Sequence, residues 1–165
     1  MNWDAVGAIG EIFGAAAVLI TLIYLATQVR RSNELSRFNA TKEIANQYND
    51  LNKLLTTESE LRQLLFKTGE LSEDENEQIY NFAVMFCNIW VSAQIAYDND
   101  QIEANVYNAC ARDVSIELER WRNFRPAVER WLALYSEYEN VEIMQPIVRG
   151  RKPKVESLNI RANDT

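Results

Sequence analysis

The chain has 165 residues, of which 47% are hydrophobic and 25% are charged, and its formal net charge is −7. This length suits one modest domain plus a short extra element, since domains hold roughly 100–200 residues. The acidic balance argues against nucleic acid as a partner, because phosphate contacts need a basic face. The sequence contains no histidine, which removes the commonest general base and most zinc sites.

Charge is distributed unevenly along the chain. Residues 57–148 hold seven basic against seventeen acidic side chains, which gives −10. Residues 30–56 hold five against three and residues 149–165 hold five against two, which gives +2 and +3. Basic flanks of this kind suit the anionic cytoplasmic face of a membrane, so we expect membrane lipid as a partner.

The N-terminal stretch is strongly apolar. Residues 5–29 contain Glu11 as their only ionised side chain, and residues 12–29 contain none. As a helix, residues 5–29 would measure roughly 37 Å, enough to cross a hydrocarbon core about 30 Å thick. The acidic start, MNWD, and the lack of a small-x-small cleavage site argue against a signal peptide. A buried core helix is the alternative, but no later segment is comparably apolar to cover this one.

We therefore predict one transmembrane helix within an N-terminal segment, residues 1–29. No lysine or arginine precedes it, whereas Arg30, Arg31 and Arg37 follow it. Because positive residues stay on the cytoplasmic side, the N-terminus is expected outside the cytoplasm. The three arginines are then expected at the cytoplasmic interface, with the rest of the chain inside the cell.

Small residues form a row along this helix. Gly10 and Gly14 make a GxxxG pattern, which Ala17 and Thr21 continue at spacings of three and four. Such a row lets two helix backbones approach closely in lipid, so we predict a homo-oligomer. The alternative is that glycine and alanine are simply common in membrane helices.

Glu11 is the one acid in this stretch, and three states are open for it. Near the outer end of the helix it can reach the interface, and deeper it must be protonated, paired or facing water. In an oligomer it could also form an acidic ring at the mouth of a pore. That pore would be lined by Gly7, Glu11, Gly14, Val18 and Thr21.

Beyond Arg30 the helical period of apolar residues continues, and no glycine or proline interrupts it between Gly14 and Gly69. We predict that the membrane helix runs into an amphipathic helix that ends near Thr56. Its apolar residues are Leu35, Phe38, Ala45, Tyr48, Leu51 and Leu55.

Later helix starts are marked by three patterns typical of capping boxes, in which an N-cap side chain and an acid three residues on satisfy free backbone N–H groups. They predict a short helix ended by Gly69, a long one to about Tyr97 and a third to about Trp121. Pro126 suits the first turn of a last helix, to about Tyr138. The three pairs are Thr57 with Glu60, Ser72 with Glu75, and Asp100 with Glu103.

These patterns predict an all-α fold, with a cytoplasmic bundle of about four to five helices over residues 30–148. Three apolar stripes should form its core: Phe82, Phe86, Ile89, Trp90 and Ala93; Val106, Cys110, Val114 and Leu118; and Val128, Trp131, Leu132 and Tyr135. Residues 149–165 are basic and lack periodicity, so we predict a disordered tail.

No pattern indicates a metal or cofactor site. Cys87 and Cys110 lie among apolar neighbours in helical patterns, which predicts two reduced core thiols. The acidic run at residues 73–77 is typical of a helix start, where carboxylates favour the helix dipole. The stretch DNDQIE at residues 98–103 lacks the glycine and the final glutamate of a calcium loop.

The N-terminal stretch WDAVGAIGEIFGAAAVLITLIYLATQVRRS resembles the signature of an uncharacterised family of small bacterial single-pass membrane proteins. These begin with a GAIGEI-like stretch and an apolar helix that ends in a YLAxQxR-like sequence, followed by a helical domain. LSEDENEQIYNFAVMF is similar to the family's next helix, and WRNFRPAVERW to its C-terminal one. The resemblance implies the bacterial inner membrane and brings no catalytic residues.

Taken together, the sequence favours a single-pass inner-membrane protein with a cytoplasmic interaction or scaffolding domain, in a homo-oligomer and open to a further protein partner. The alternative is a small homo-oligomeric ion channel formed by the first helix. An enzyme is not expected, because no nucleophile motif or phosphate-binding loop accompanies the missing histidine.

Overall fold

The computed structural model describes residues 3–149, and the regular secondary structure of this part of the chain is all helical, without a strand. The all-α class is thereby confirmed. The six α-helices are α1 (Trp3–Thr57), α2 (Ser59–Phe66), α3 (Glu73–Asp98), α4 (Ala104–Arg120), α5 (Phe124–Leu134) and α6 (Gln145–Arg149), with 3₁₀ turns at Ser136–Tyr138 and Glu142–Met144.

The chain divides into two compact units, with residues up to Asn39 in the first and residues from Ala40 onward in the second. Helix α1 contributes to both, and it ends at Thr57, one residue beyond the predicted end. The predicted boundary at residues 29 and 30 marks an exit from the membrane, which is a different criterion, and it stays a prediction. The predicted disorder of the basic tail concerns residues outside the described part of the chain, apart from Arg149.

The predicted capping box at the start of α3 is confirmed. The Glu75 amide donates to the Ser72 hydroxyl over 3.2 Å, and the Ser72 amide donates to the Glu75 carboxylate over 2.9 Å. The Lys67 ammonium donates to the same carboxylate over 2.6 Å. These hydrogen bonds, that of Lys67 first, hold the pKa of Glu75 below its usual range.

The other two predicted capping boxes are wrong. Thr57 is the last residue of α1, where its hydroxyl donates back to the Lys53 carbonyl over 3.0 Å. Asp100 lies in the turn that closes α3 and does not start α4. It adopts a φ of 55°, and the Gln101 amide donates to the Ala96 carbonyl over 2.7 Å. That bond belongs to a Schellman motif, which closes a helix through one left-handed residue.

The core of the second unit is aromatic. Rings from α3 (Phe82, Phe86 and Trp90) meet Trp121 and Phe124 with centroid separations between 5.1 and 6.2 Å. Helix α3 lies at the centre of this unit and packs against α2, α4 and α5. Its predicted apolar stripe is confirmed, since all five residues are buried.

The other stripes are confirmed in part. Val106 is only half-buried, and Tyr135 is 44% exposed because α5 ends at Leu134 and the chain then leaves the helical phase. Along the second half of α1, predicted as an amphipathic helix, Leu51 is buried and Tyr48 is half-buried. Ile44 is also buried, whereas Leu35, Phe38 and Ala45, which belong to the same predicted apolar pattern, are exposed.

Candidate functional site

The N-terminal part of α1 exposes an uncharged apolar surface all round the helix. Within residues 12–29, the large apolar side chains are between 52% and 71% exposed. The most apolar 18-residue window of α1 has a mean hydropathy of 2.0, and none of it is buried. Eighteen helical residues span about 27 Å, close to the thickness of a hydrocarbon core. Isolated exposed apolar residues are ordinary, but a continuous surface of this size marks an interaction site.

Helix α3 also has the length and composition of a membrane span, with a mean hydropathy of 1.3. In contrast to α1, 61% of its apolar window is buried inside the second unit. The core it forms with α4 and α5 accounts for its apolar character, so α1 is the stronger candidate.

The predicted small-residue row is brought onto one face of α1. At 3.6 residues per turn, Gly10, Gly14, Ala17 and Thr21 lie within about 60° of arc. A Cβ added at either glycine would meet no atom within 4 Å, so this face is open. The Thr21 hydroxyl donates to the Ala17 carbonyl over 2.9 Å and therefore needs no other partner in an apolar surrounding.

The charged residues of α1 that were predicted to have a role in the membrane are exposed: Glu11, Arg30, Arg31 and Arg37. Glu11 lies at the edge of the face that carries Gly14, and it makes no ion pair within residues 3–149. Arg30 lies 3.7 Å from Glu34, and both side chains are largely in solvent, so this pair contributes little. Arg31 and Arg37 lie on the same stretch of helix. All three arginines thus follow the apolar segment within eight residues.

A buried polar cluster, which sequence reasoning missed, lies in the second unit where α1, α3 and α4 meet. The Trp90 indole N–H donates to the Asp113 carboxylate over a long 3.4 Å. Glu117, one turn along α4, is only 8% exposed and lies 3.5 Å from the Arg120 guanidinium. Its second oxygen and the Tyr48 hydroxyl are buried without a hydrogen-bond partner in the described residues.

Burial governs the acid–base chemistry of this cluster. Burial raises the pKa of Asp113. Burial, together with the neighbouring Asp113 charge, also raises the pKa of Glu117. Burial also raises the pKa values of the Tyr48 hydroxyl and the Cys110 thiol. A thiol kept protonated is a poor nucleophile, so the cluster does not resemble a nucleophilic catalytic site. Both cysteines are buried and free, and the described residues contain no cluster of three metal-ligating side chains.

A signal for these acids was present in the sequence. Asp113 and Glu117 each precede by one position a residue of the predicted stripe, Val114 and Leu118. Four-residue spacing on that helix places both carboxyls beside the buried face. Because ionised side chains are rarely buried without a partner, spacing alone does not predict the burial of these two acids.

Replacing Glu117 by glutamine should stabilise the protein by about 1 kcal/mol at about pH 7.5, because it removes a charge from a buried site with an unsatisfied oxygen. The sign follows from the raised pKa. Protonation of Glu117 favours the folded state, so its contribution is present below the unfolded pKa near 4.3 and is lost as the pH rises through the folded pKa.

Thermal unfolding of the full chain in detergent, at about pH 7.5 and at about pH 4, checks this prediction. The gain from E117Q should shrink at about pH 4, where the carboxyl is protonated in both states. Glu119, exposed on the same helix, provides the matched control E119Q, which should change stability little. A gain from E117Q that is the same at both pH values would contradict the account.

A second buried network ties the C-terminal turns to the core. The Tyr107 hydroxyl and the Ile143 amide both donate to the Gln94 side-chain oxygen, over 2.7 and 3.0 Å. The Gln94 amide in turn donates to Asp98 over 2.9 Å. Every polar atom of Gln94 is thereby satisfied by neighbours, which indicates a structural role.

A broad groove of about 840 Å³ lies on the surface of the second unit, between α2 and the start of α3. Phe66 is half-exposed there, and Lys67 pairs with Glu75. An open lining of mixed charge suits contact with a protein better than it suits an enclosed small molecule.

Comparisons with protein-family models, with curated proteins and with solved structures found no match to this chain. The resemblance to the family of small membrane proteins therefore stays a prediction.

Proposed function

We propose that the protein is a single-pass protein of the bacterial inner membrane, whose second unit acts as a cytoplasmic interaction or scaffolding module. One observation carries this proposal: residues 12–29 expose an uncharged apolar surface around the whole helix. In water such a surface would be costly, at roughly 25 cal/mol for each Å² left unburied. In a bilayer the same surface is an anchor.

The direct test is extraction of membranes that contain the full chain with alkaline carbonate. A spanning protein stays in the pellet, because its anchor lies in the hydrocarbon core and does not depend on charge. A peripherally bound protein is released. Recovery of the intact chain in the supernatant would defeat the membrane proposal.

The charges at the ends of the apolar segment support an orientation. Arg30, Arg31 and Arg37 are exposed just after it, where ammonium and guanidinium groups are attracted to anionic headgroups. The segment before it carries no basic residue. We infer a cytoplasmic C-terminal side and an N-terminus outside the cytoplasm.

Self-association of the anchor is the second part of the proposal. Replacing Gly10 and Gly14 by isoleucine should weaken it several-fold in a membrane-dimerisation assay, because bulky side chains separate the backbones. The matched control exchanges Ile20 and Ile23 for leucine, which keeps volume and should change little. If both pairs behave alike, the small-residue row plays no part in association.

The other function that an observation favours is a small homo-oligomeric cation channel. It draws support from Glu11, which is exposed at the edge of the small-residue face and would form an acidic ring in a closed oligomer. A cation current in reconstituted vesicles that Glu11→Gln abolishes would establish this function in place of the scaffold.

A further inference from the structure

Helix α3 is buried on most of its surface, yet one narrow line of it remains exposed. Six exposed residues follow one another at spacings of three, four, three, four and three: Gln78, Asn81, Met85, Asn88, Ser92 and Ile95. We call this line the neutral stripe. Its spacing is that of the contact positions in a pair of coiled helices.

The stripe differs from the other exposed helix surfaces of the second unit in carrying no charge. From Gln78 to Tyr97, α3 contains no charged residue, and Glu77, just before this stretch, pairs with Arg130. By contrast, the exposed residues of α2, α4 and α5 include Arg62, Arg112 and Glu129. This absence stands out in a region, residues 57–148, whose net charge is −10.

The polar side chains of the stripe also make no hydrogen bonds to neighbouring residues of the described chain. Gln78, Asn81, Asn88 and Ser92 make no side-chain hydrogen bond within residues 3–149, whereas the Asn76 and Asn123 amides bond to backbone carbonyls. Asparagine and serine are weaker helix formers than alanine, by up to about 0.7 kcal/mol each. These polar groups bond to no protein group nearby and are therefore free to bond to a partner.

We propose that the neutral stripe is a contact surface for a second copy of this chain. Two acidic units repel each other, and the stripe is a face on which they can meet without bringing like charges together. Side-chain amides both donate and accept, so a row of them is complementary to itself. Met85 and Ile95, each exposed, add apolar contact between them.

The size of the stripe sets a condition on this pairing. Six residues a side is far below the roughly 20–30 residues a side of a standard interface, so the contact is weak for free molecules. Anchoring two chains in one membrane raises their effective concentration and makes a weak contact sufficient. The inference therefore rests on the proposed function for its strength, although the choice of face does not.

Cysteine cross-linking in native membranes tests the face. Both native cysteines are buried, so a single surface cysteine can be read without removing them. Asn88→Cys lies near the middle of the stripe, and Asn52→Cys, an exposed asparagine of α1 in the same unit, is the matched control. With a short thiol–thiol cross-linker, Asn88→Cys should give several-fold more dimer than Asn52→Cys.

An added negative charge then distinguishes a specific contact through the stripe from mere proximity of two chains. Adding Ser92→Glu to Asn88→Cys should reduce the dimer several-fold, and adding Glu at the exposed Asn49 should not. Equal cross-linking at positions 88 and 52, or conjugates of Asn88→Cys with other proteins in place of the dimer, would overturn the second copy as the occupant. Carbonate extraction of the same sample reports anchoring separately, so failure of the proposed function is distinguished from failure of the stripe.

Discussion

A full-length chain with Leu19→Lys and Ile20→Lys should leave the membrane pellet. Both residues lie near the middle of the uncharged segment, residues 12–29, and both are at least 60% exposed. A lysine at the centre of a spanning helix costs about 2.5–3.5 kcal/mol on insertion scales, so two cost about 5–7 kcal/mol. The protein should then appear in the carbonate supernatant or be degraded, and little should remain in the pellet.

The matched control makes the same changes just outside the segment. Leu35 and Phe38 are apolar and exposed to a similar degree, at 60% and 63%, but they lie beyond Arg30 and Arg31, which close the segment. Leu35→Lys and Phe38→Lys should leave the protein in the pellet, because these positions are expected in water or among headgroups. If both pairs remove the protein from the pellet equally, non-specific hydrophobic adsorption rather than a spanning segment holds the chain on membranes.

Removal of one core ring should destabilise the second unit severely. Phe124 is fully buried, and its ring lies 5.1 Å from Trp121 and 5.3 Å from Phe86 between centroids. Phe124→Ala loses that burial and leaves a cavity, at a cost of about 3–5 kcal/mol. This is a large part of the 5–15 kcal/mol that stabilises a typical domain.

Near-UV circular dichroism of the purified full chain during heating in detergent measures the effect. The Trp121 and Trp90 signals should melt at a much lower temperature in F124A. Leu134, on the same helix α5, is 64% exposed, so Leu134→Ala is the matched control and should shift the melting temperature little. A comparable shift in both variants would contradict the assignment of the core.

Helical periodicity allowed most of this fold to be predicted. The stripe along α3 is strongly apolar over many turns, and the Ser72 box coincides with a real helix start, so both were predicted correctly. The boxes at Thr57 and Asp100 failed because a two-residue pattern does not specify which side of a turn it occupies. At Asp100 the closing hydrogen bonds of α3 take precedence, and the N-cap of α4 moves to Glu103.

The buried carboxyls were less predictable, for a physical reason. Periodicity locates a buried face to within about one residue, and Asp113 and Glu117 lie at the margin of theirs. Whether a marginal acid is solvated or enclosed depends on what covers it, which for Asp113 is Tyr48 from α1 and Trp90 from α3. Such long-range neighbours are absent from local spacing. The neutral stripe has the same origin, since exposure of one line on a buried helix is a property of the packed unit.

Orientation of the chain in the membrane is the central claim, and a pair of topology reporters tests it most directly. A reporter that is active only outside the cytoplasm should function when fused before Met1 and fail when fused after Thr165, because arginines after an apolar segment, here Arg30, Arg31 and Arg37, favour a cytoplasmic C-terminal side. Activity at the C-terminal fusion with none at the N-terminal fusion would contradict the account.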